Sequence, residues 1–337
     1  METLVSSPNP RVTIITPVYN EEESLPFYRD EVGRVLLDHP DFDFEILFVD
    51  DGSSDKSWTL IQQYCDDDPR FRALRLSRNF GAHAALGAGI DRAAGDAVAI
   101  LACDLQDPPS VILEFLSKWR EGNQIVWGKR RSRKDAGWRV LASRAFATVI
   151  RKHAMPKGSR FTTGSFFLMD QRVAECCRQF PERNRITFAL VAYTGFEQTV
   201  VEYDRIERTS GASKWSFAQL VSALYDTFIG FSNLPARIMA RLGLAVFAAA
   251  MLFSLYLLVN WFMGDTLPGW TTVMLGLSLF AAGQFLMMGL VGEYLSRIYT
   301  EVAGRPNYFV SDRAGAVGDE VSFVRRQREH GSIRDDV

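Results

Sequence analysis

Residues 12–21, VTIITPVYNE, pass from a β-branched apolar run straight into a cluster of turn-forming and acidic residues. Val, Ile and Thr suit a pleated strand, and a short unbroken apolar run bounded by turn signals fits a strand buried on both faces. The pattern recurs in residues 44–53, FEILFVDDGS, and again in residues 97–107, AVAILACDLQD. Further strand runs at 72–76 and 124–128, with helical stretches at about 21–37, from 56 and at 82–93, fill the intervals. Strands alternating with helices predict an α/β domain whose mostly parallel sheet is covered on both faces. Such sheets bind ligands beyond the carboxyl ends of their strands, and that is where the acid-rich clusters fall.

Taken singly, each cluster is ordinary turn chemistry. Asx and Gly commonly close a strand, and the D-P-P of residues 107–109 is a helix start. Three clusters on the carboxyl ends of one inferred sheet describe a cleft lined by acids. That cleft suits a divalent cation with a pyrophosphate better than a bare anion.

Composition narrows the classes further. Among 337 residues, 38 Lys and Arg nearly balance 40 Asp and Glu, for a formal charge of −2. A general nucleic-acid binder would show a basic excess. Cys65, Cys103, Cys176 and Cys177 form no C-x-x-C pair, so they read as reduced core thiols, with neither a disulfide framework nor a zinc site. Residues 1–10 are polar and lack the pattern of a signal peptide.

Hydropathy is concentrated near the other end. Residues 242–263 and 271–292 are each 22 long without a charge, enough to cross a hydrocarbon core of roughly 30 Å. Arg237, Arg241, Arg297 and Arg305 flank the pair outside, while the loop 264–270 carries only Asp265. The positive-inside bias puts both outer ends in the cytoplasm. Trp261 and Trp270 fit the opposite interface, and Gln284 fits a helix–helix hydrogen bond. Residues 215–229 are amphipathic, either an interfacial helix or a packing helix. After Ser311 the chain turns polar and is expected to be disordered.

The motifs P-V-Y-N-E, V-D-D-G-S and D-L-Q-D-P-P resemble the GT-A fold of family-2 glycosyltransferases, which are inverting enzymes. G-A-S-K-W-S-F (211–217), G-E-Y-L-S-R-I-Y (292–299) and R-P-N-Y-F-V (305–310) are similar to motifs of the bacterial polyprenyl-phosphate glycosyltransferases, relatives of dolichol-phosphate mannose synthase. The likeness covers about residues 12–310. It implies a polar segment 1–10, a catalytic domain 11–212, an amphipathic juxtamembrane segment 213–240, a transmembrane hairpin 241–296 and a cytoplasmic tail 297–337. It also implies that Pro17, Tyr19, Glu21 and Asp50, with Asp51 close by, line a uridine pocket. Asp104 and Gln106 would hold Mg²⁺ or Mn²⁺ on the diphosphate of a UDP-sugar, hard oxygen donors suiting either ion. Arg131 would meet a phosphate, with Arg130 or Arg133 as alternatives. Arg205, Arg208, Ser213 and Lys214 would bind the acceptor phosphate or the diphosphate. The acceptor implied is undecaprenyl phosphate or a similar polyprenyl phosphate, at the cytoplasmic face of the inner (plasma) membrane. A homo-oligomer and a small membrane flippase are the implied partners, and no nucleic acid.

The chain departs from that pattern twice. The usual D-x-D-L-Q reads Ala102-Cys103-Asp104-Leu105-Gln106, so one metal or ribose contact is missing or supplied by another group, with Asp107 the candidate. The acid often found after glycine in a later strand is Ser165. These losses keep a second class in view, a membrane scaffold or regulatory subunit with a degenerate site. A processive polysaccharide synthase would need Q-x-x-R-W and more spans, and the sequence has neither.

Overall fold

The computed structural model describes residues 9–131, 165–180, 187–206 and 269–316, with a few helical residues between 252 and 263. The chain divides into two compact units, Met1–Trp215 with Pro306–Val337, and Ser216–Arg305.

The first unit is an eight-stranded sheet. Strands β1 (Arg11–Val18), β2 (Asp43–Asp50), β3 (Phe71–Leu76), β4 (Ala97–Ile100), β5 (Ile125–Arg130), β6 (Phe167–Asp170), β7 (Gln198–Tyr203) and β8 (Val310–Ala314) lie in the order β7-β5-β6-β4-β1-β2-β3-β8. Four pairings are parallel: β1 with β2, β1 with β4, β2 with β3 and β5 with β7. The expected alternation thus holds across β1–β4, while β6 runs against both its neighbours and β8 against β3. Among the described residues, the unit's helices are α1 (Leu25–Val32), α2 (Ser57–Asp67), α3 (Ala82–Arg92), α4 (Ser110–Arg120), α5 (Gln171–Gln179) and α6 (Thr187–Tyr193). A short π-helical turn, Gly33–Leu37, extends α1.

Burial on both faces explains why β1 and β2 read as continuous apolar runs. Val12, Ile14 and Val18 share one core cluster with Phe44, Ile46 and Phe48 and with Tyr28, Ile61 and Phe115 from the helices. On the other face α3 lies so close to β1 that a Cβ on Gly89 would sit 2.4 Å from Ile15 Cγ2. In-register pairing from Arg11↔Asp43 to Val18↔Asp50 brings the carboxyl ends of β1 and β2 level, so their loops emerge side by side. All four cysteines are free, and burial pushes the Cys65 thiol up to about 12.

The C-terminal region differs from the expected disordered tail. Residues 310–314 form β8, an edge strand pairing Ala73↔Ala314 and Leu74↔Arg313, with a register shift between Arg75 and Leu76. An edge strand needs only backbone groups to pair, and β8 is mostly exposed. A polar sequence can therefore fill the place, which hydropathy does not reveal.

In the second unit α7 (Trp270–Val302) is a continuous helix of 33 residues, about 50 Å long at 1.5 Å per residue. The uncharged run 271–292 lies wholly within it, although several α7 side chains are outside the described set. Among the described residues no helix is long and apolar enough to cross a membrane. The segments 213–240 and most of 242–263 also fall outside the described residues.

Candidate active site

The loops after β1 and β2 are stitched together by hydroxyl and amide groups. Asn20, at φ +53°, donates its amide to Ser53 Oγ (2.9 Å), and its Oδ1 accepts from the Ser54 amide (2.8 Å). Glu21 donates its amide to Ser57 Oγ (2.9 Å) and its carboxylate accepts from Ser24 Oγ (2.9 Å) at the start of α1. Pro17 is the penultimate residue of β1, and Tyr19, just beyond the strand, is 40% exposed.

The two acids that follow β2 do different work. Asp50 is fully buried, and its Oδ1 accepts from the Ser53 amide at 3.2 Å. Its Oδ2 receives no hydrogen bond, with Arg75 Nε as ion partner at 3.3 Å. Burial raises its pKa, offset in part by Ser53 and Arg75. A buried carboxylate oxygen lacking a donor is costly, and a ligand N–H or O–H would satisfy it. Asp51 is already served: Oδ1 accepts from the Phe80 amide (2.7 Å) and Oδ2 from the Gly81 amide (2.9 Å). It fastens the 77–81 loop. Between the acids and that loop only glycine fits. Gly52 has φ +70°, and a Cβ there would meet the Arg78 carbonyl carbon at 2.5 Å.

The loop after β4 carries the third motif. Leu105 adopts φ +50°, a conformation uncommon outside glycine and often found at functional sites. Asp104 Oδ1 accepts from the Gln106 amide at 3.2 Å, and the Gln106 carbonyl accepts from the Ile206 amide at 3.0 Å. Asp107 is buried. Its Oδ1 accepts from Tyr203 Oη (2.5 Å) and faces Arg205 Nε (3.4 Å) and Arg130 Nε (3.9 Å). This carboxylate thus gathers two guanidiniums and a phenol, a setting that holds the chain's own cations. Burial lowers the pKa of Arg205 against the pull of Asp107.

The structure separates the neighbouring arginines. Lys129 and Arg131 point to Glu202 (2.6 Å) and Asp204 (3.2 Å) across the parallel β5–β7 pair. Arg130, between them, turns the other way and reaches Asp107. Tyr203 and Arg75 are site residues that the motifs did not single out, while Arg130 stood there as an alternative to Arg131. Strand alternation at 129–131 carries the signal for Arg130, yet it decides nothing until β7 is known to lie alongside. Arg133, Arg208, Ser213 and Lys214 lie outside the described residues. Ala102 is half-buried and Ser165 exposed.

Among the described residues no three His, Cys, Asp or Glu side chains converge on a metal position. Besides Asp107, which faces Arg130 and Arg205, the β4 loop offers one carboxylate, Asp104, and one amide, Gln106, as oxygen donors. That pair fits a hard cation whose other ligands are phosphate oxygens and water, and does not fit the four-ligand cage of structural zinc.

The profile of the family described as "Glycosyl transferase family 2" matches residues 13–178. An uncharacterized glycosyltransferase of Synechocystis sp. is 36% identical over 306 residues, covering 90% of this chain and 96% of that protein. A prophage-derived bactoprenol glucosyl transferase of Shigella flexneri is 32% identical, covering 89% of this chain and 97% of its own. An undecaprenyl-phosphate 4-deoxy-4-formamido-L-arabinose transferase of Pectobacterium carotovorum is 34% identical, covering 94% and 98%.

Proposed function

The chain belongs to glycosyl transferase family 2 and is a glycosyltransferase, and from that premise we propose that it moves a hexose, by default glucose, from a UDP-sugar to a polyprenyl phosphate such as undecaprenyl phosphate, with inversion. The observation that carries this reading is the juxtaposition of the Asp104–Gln106 oxygen donors with Arg130 and Arg205 on buried Asp107. One half suits a cation on a diphosphate, the other a phosphate. The names of the relatives, two of which act on bactoprenol or undecaprenyl phosphate, support the acceptor class.

Pro17, Tyr19, Glu21 and the unsatisfied oxygen of Asp50 form the wall for the nucleotide, with Asp51 behind it. Asp104 and Gln106 would hold Mg²⁺ or Mn²⁺, which would supply Lewis-acid neutralisation of the leaving diphosphate. Arg130 and Arg205 draw in phosphate by charge-assisted hydrogen bonds, joined by Arg208, Ser213 and Lys214 of the adjoining segment. A sugar hydroxyl acceptor would need a general base. A phosphate monoester, with its second pKa at about 6, is already largely dianionic at neutral pH and needs positioning and charge neutralisation. The acids missing at Ala102 and Ser165 are compatible with such an acceptor.

The two uncharged runs are read as a membrane hairpin with the catalytic unit on the cytoplasmic side. β8 belongs to the same sheet as β1–β7, which supports an even number of crossings, as a hairpin makes, between 206 and 310. A homo-oligomer and a small flippase partner belong to the same proposal.

The test uses the full chain in detergent or membranes with radiolabelled UDP-sugars, undecaprenyl phosphate and Mn²⁺. Lipid-linked sugar is expected, with a rate that falls on acidification through about pH 6 as the acceptor takes up its proton. No transfer from any UDP-sugar would favour the scaffold reading. A rate that instead follows a carboxylate near pH 4 would remove the pre-ionised acceptor from the mechanism.

A further inference from the structure

The motif R-P-N-Y-F-V lies far from the acid clusters in sequence, and no step above uses it. Its residues dock on the elements that hold the nucleotide wall. Tyr308 Oη donates to Asp91 Oδ2 (2.7 Å) and accepts from Arg92 Nη1 (3.0 Å) at the end of α3. The Phe309 carbonyl accepts from the Ser77 amide at 2.8 Å. The Phe309 ring lies 6.2 Å from the Phe80 ring, centroid to centroid, and the Arg78 guanidinium covers Phe80 at 4.0 Å.

Two chains of contacts run onward from this strap. Phe80 and Gly81 are the residues whose amides hold both oxygens of Asp51, and Gly52 abuts the Arg78 backbone of the same loop. Ser311 Oγ donates to the Arg75 carbonyl (3.3 Å). The Arg75 side chain donates to the Ser53 carbonyl (3.0 Å), pairs with Asp50 (3.3 Å) and lies over Trp58 (5.6 Å). Both acids of the D-D-G turn therefore depend on elements that the strap touches. Phe309 is 55% exposed, so core burial does not account for an aromatic ring there.

We propose that residues 306–314 are a positioning element of the nucleotide pocket, with Phe309 holding the 77–81 loop, and through it Asp51 and Gly52, in the nucleotide-binding arrangement. The inference rests on reading the D-D-G turn as the nucleotide wall. Phe309 touches neither acid itself and acts through Phe80 and the Ser77 amide. Its loss loosens the loop and weakens nucleotide binding while leaving the Asp104 and Arg130–Arg205 side of the site in place.

The experiment measures UDP affinity by titration calorimetry on the full chain in detergent with Mn²⁺, for wild type, Asp50→Ala, Phe309→Ala, Phe80→Ala and the Phe80→Ala/Phe309→Ala pair. An aromatic contact of this kind corresponds to a loss of about three- to ten-fold in affinity. Phe309→Ala is expected to weaken UDP by that factor and to raise the donor KM, with the acceptor KM within about twofold of wild type. Phe80→Ala should behave alike, and the pair should be no weaker than Phe80→Ala alone, since both remove one contact. Phe309→Leu should recover part of the loss, and thermal midpoints are read on every variant. Unchanged UDP affinity in Phe309→Ala, fully additive losses in the pair, or equal changes in donor KM, acceptor KM and thermal midpoint would each overturn the strap's role. If wild type and Asp50→Ala bind UDP equally, the nucleotide wall itself is misplaced, an outcome distinct from failure of the strap.

Discussion

Asp50 is a buried carboxylate whose ionisation works against the fold. Burial raises its pKa above the ordinary carboxylate value, about 3.9. An acid raised in this way favours the fold while protonated, and that contribution is lost as pH climbs from the ordinary value through the raised one. At neutral pH the protein carries the cost of an ionised buried carboxylate. Asp50→Asn should therefore raise the thermal midpoint at pH 7 and weaken nucleotide binding. Differential scanning across pH checks this: the gain should shrink as the buffer approaches pH 4, and a midpoint below wild type at neutral pH would refute the account. Asp107 presents the opposite case, a carboxylate already matched with Arg130, Arg205 and Tyr203. Asp107→Asn keeps a partner for Tyr203 and leaves two guanidiniums to repel each other. Transfer kcat/KM should fall about tenfold, the lower part of the range for a charge-assisted contact because both arginines are a third exposed. Steady-state rates equal to wild type would reduce the cluster to packing.

At the level of elements, tight approach of α3 to β1 makes a sharp prediction. Gly89→Val puts carbon into space held by the Ile15 side chain, and overpacking of this sort costs about 1–3 kcal/mol. A lowered denaturation midpoint with unchanged nucleotide affinity is expected, and a neutral effect would show that α3 slides freely. The strands that sequence reading found, β1 to β5, are apolar and largely buried runs, and the three acid-bearing turns followed from β1, β2 and β4. β8 was hidden because V-S-D-R-A pairs mainly through its backbone, with Ser311, Asp312 and Arg313 exposed. Which of Arg130 and Arg131 turns toward Asp107 was hidden for a related reason. Which of two adjacent side chains faces the site is set by strand pleat and by a neighbour, β7, some seventy residues on. Asp51 was placed beside the nucleotide from its motif, and the amides of Phe80 and Gly81 that occupy it come from a loop without a motif of its own.

On the scale of the whole molecule, topology and chain order are linked. A reporter fused at the C-terminus should register cytoplasm, and one inserted in 264–270 the far side; the converse would separate the catalytic unit from cytoplasmic nucleotide-sugar. A fusion directly after Val310 is a poor test, because it interrupts β8. The order in which the strands leave the ribosome has a further effect. β3 is made early, yet the strand that covers its outer edge begins 107 residues after Tyr203, beyond the entire second unit. At about 5–20 residues per second, the nascent chain spends on the order of 5–20 s with that edge bare, long after the other strands have emerged. An uncovered strand edge is a template for pairing with other chains. The newborn chain is thus exposed to misassembly for as long as its second unit takes to translate, and pairing of β8 is the last stitch of the described sheet.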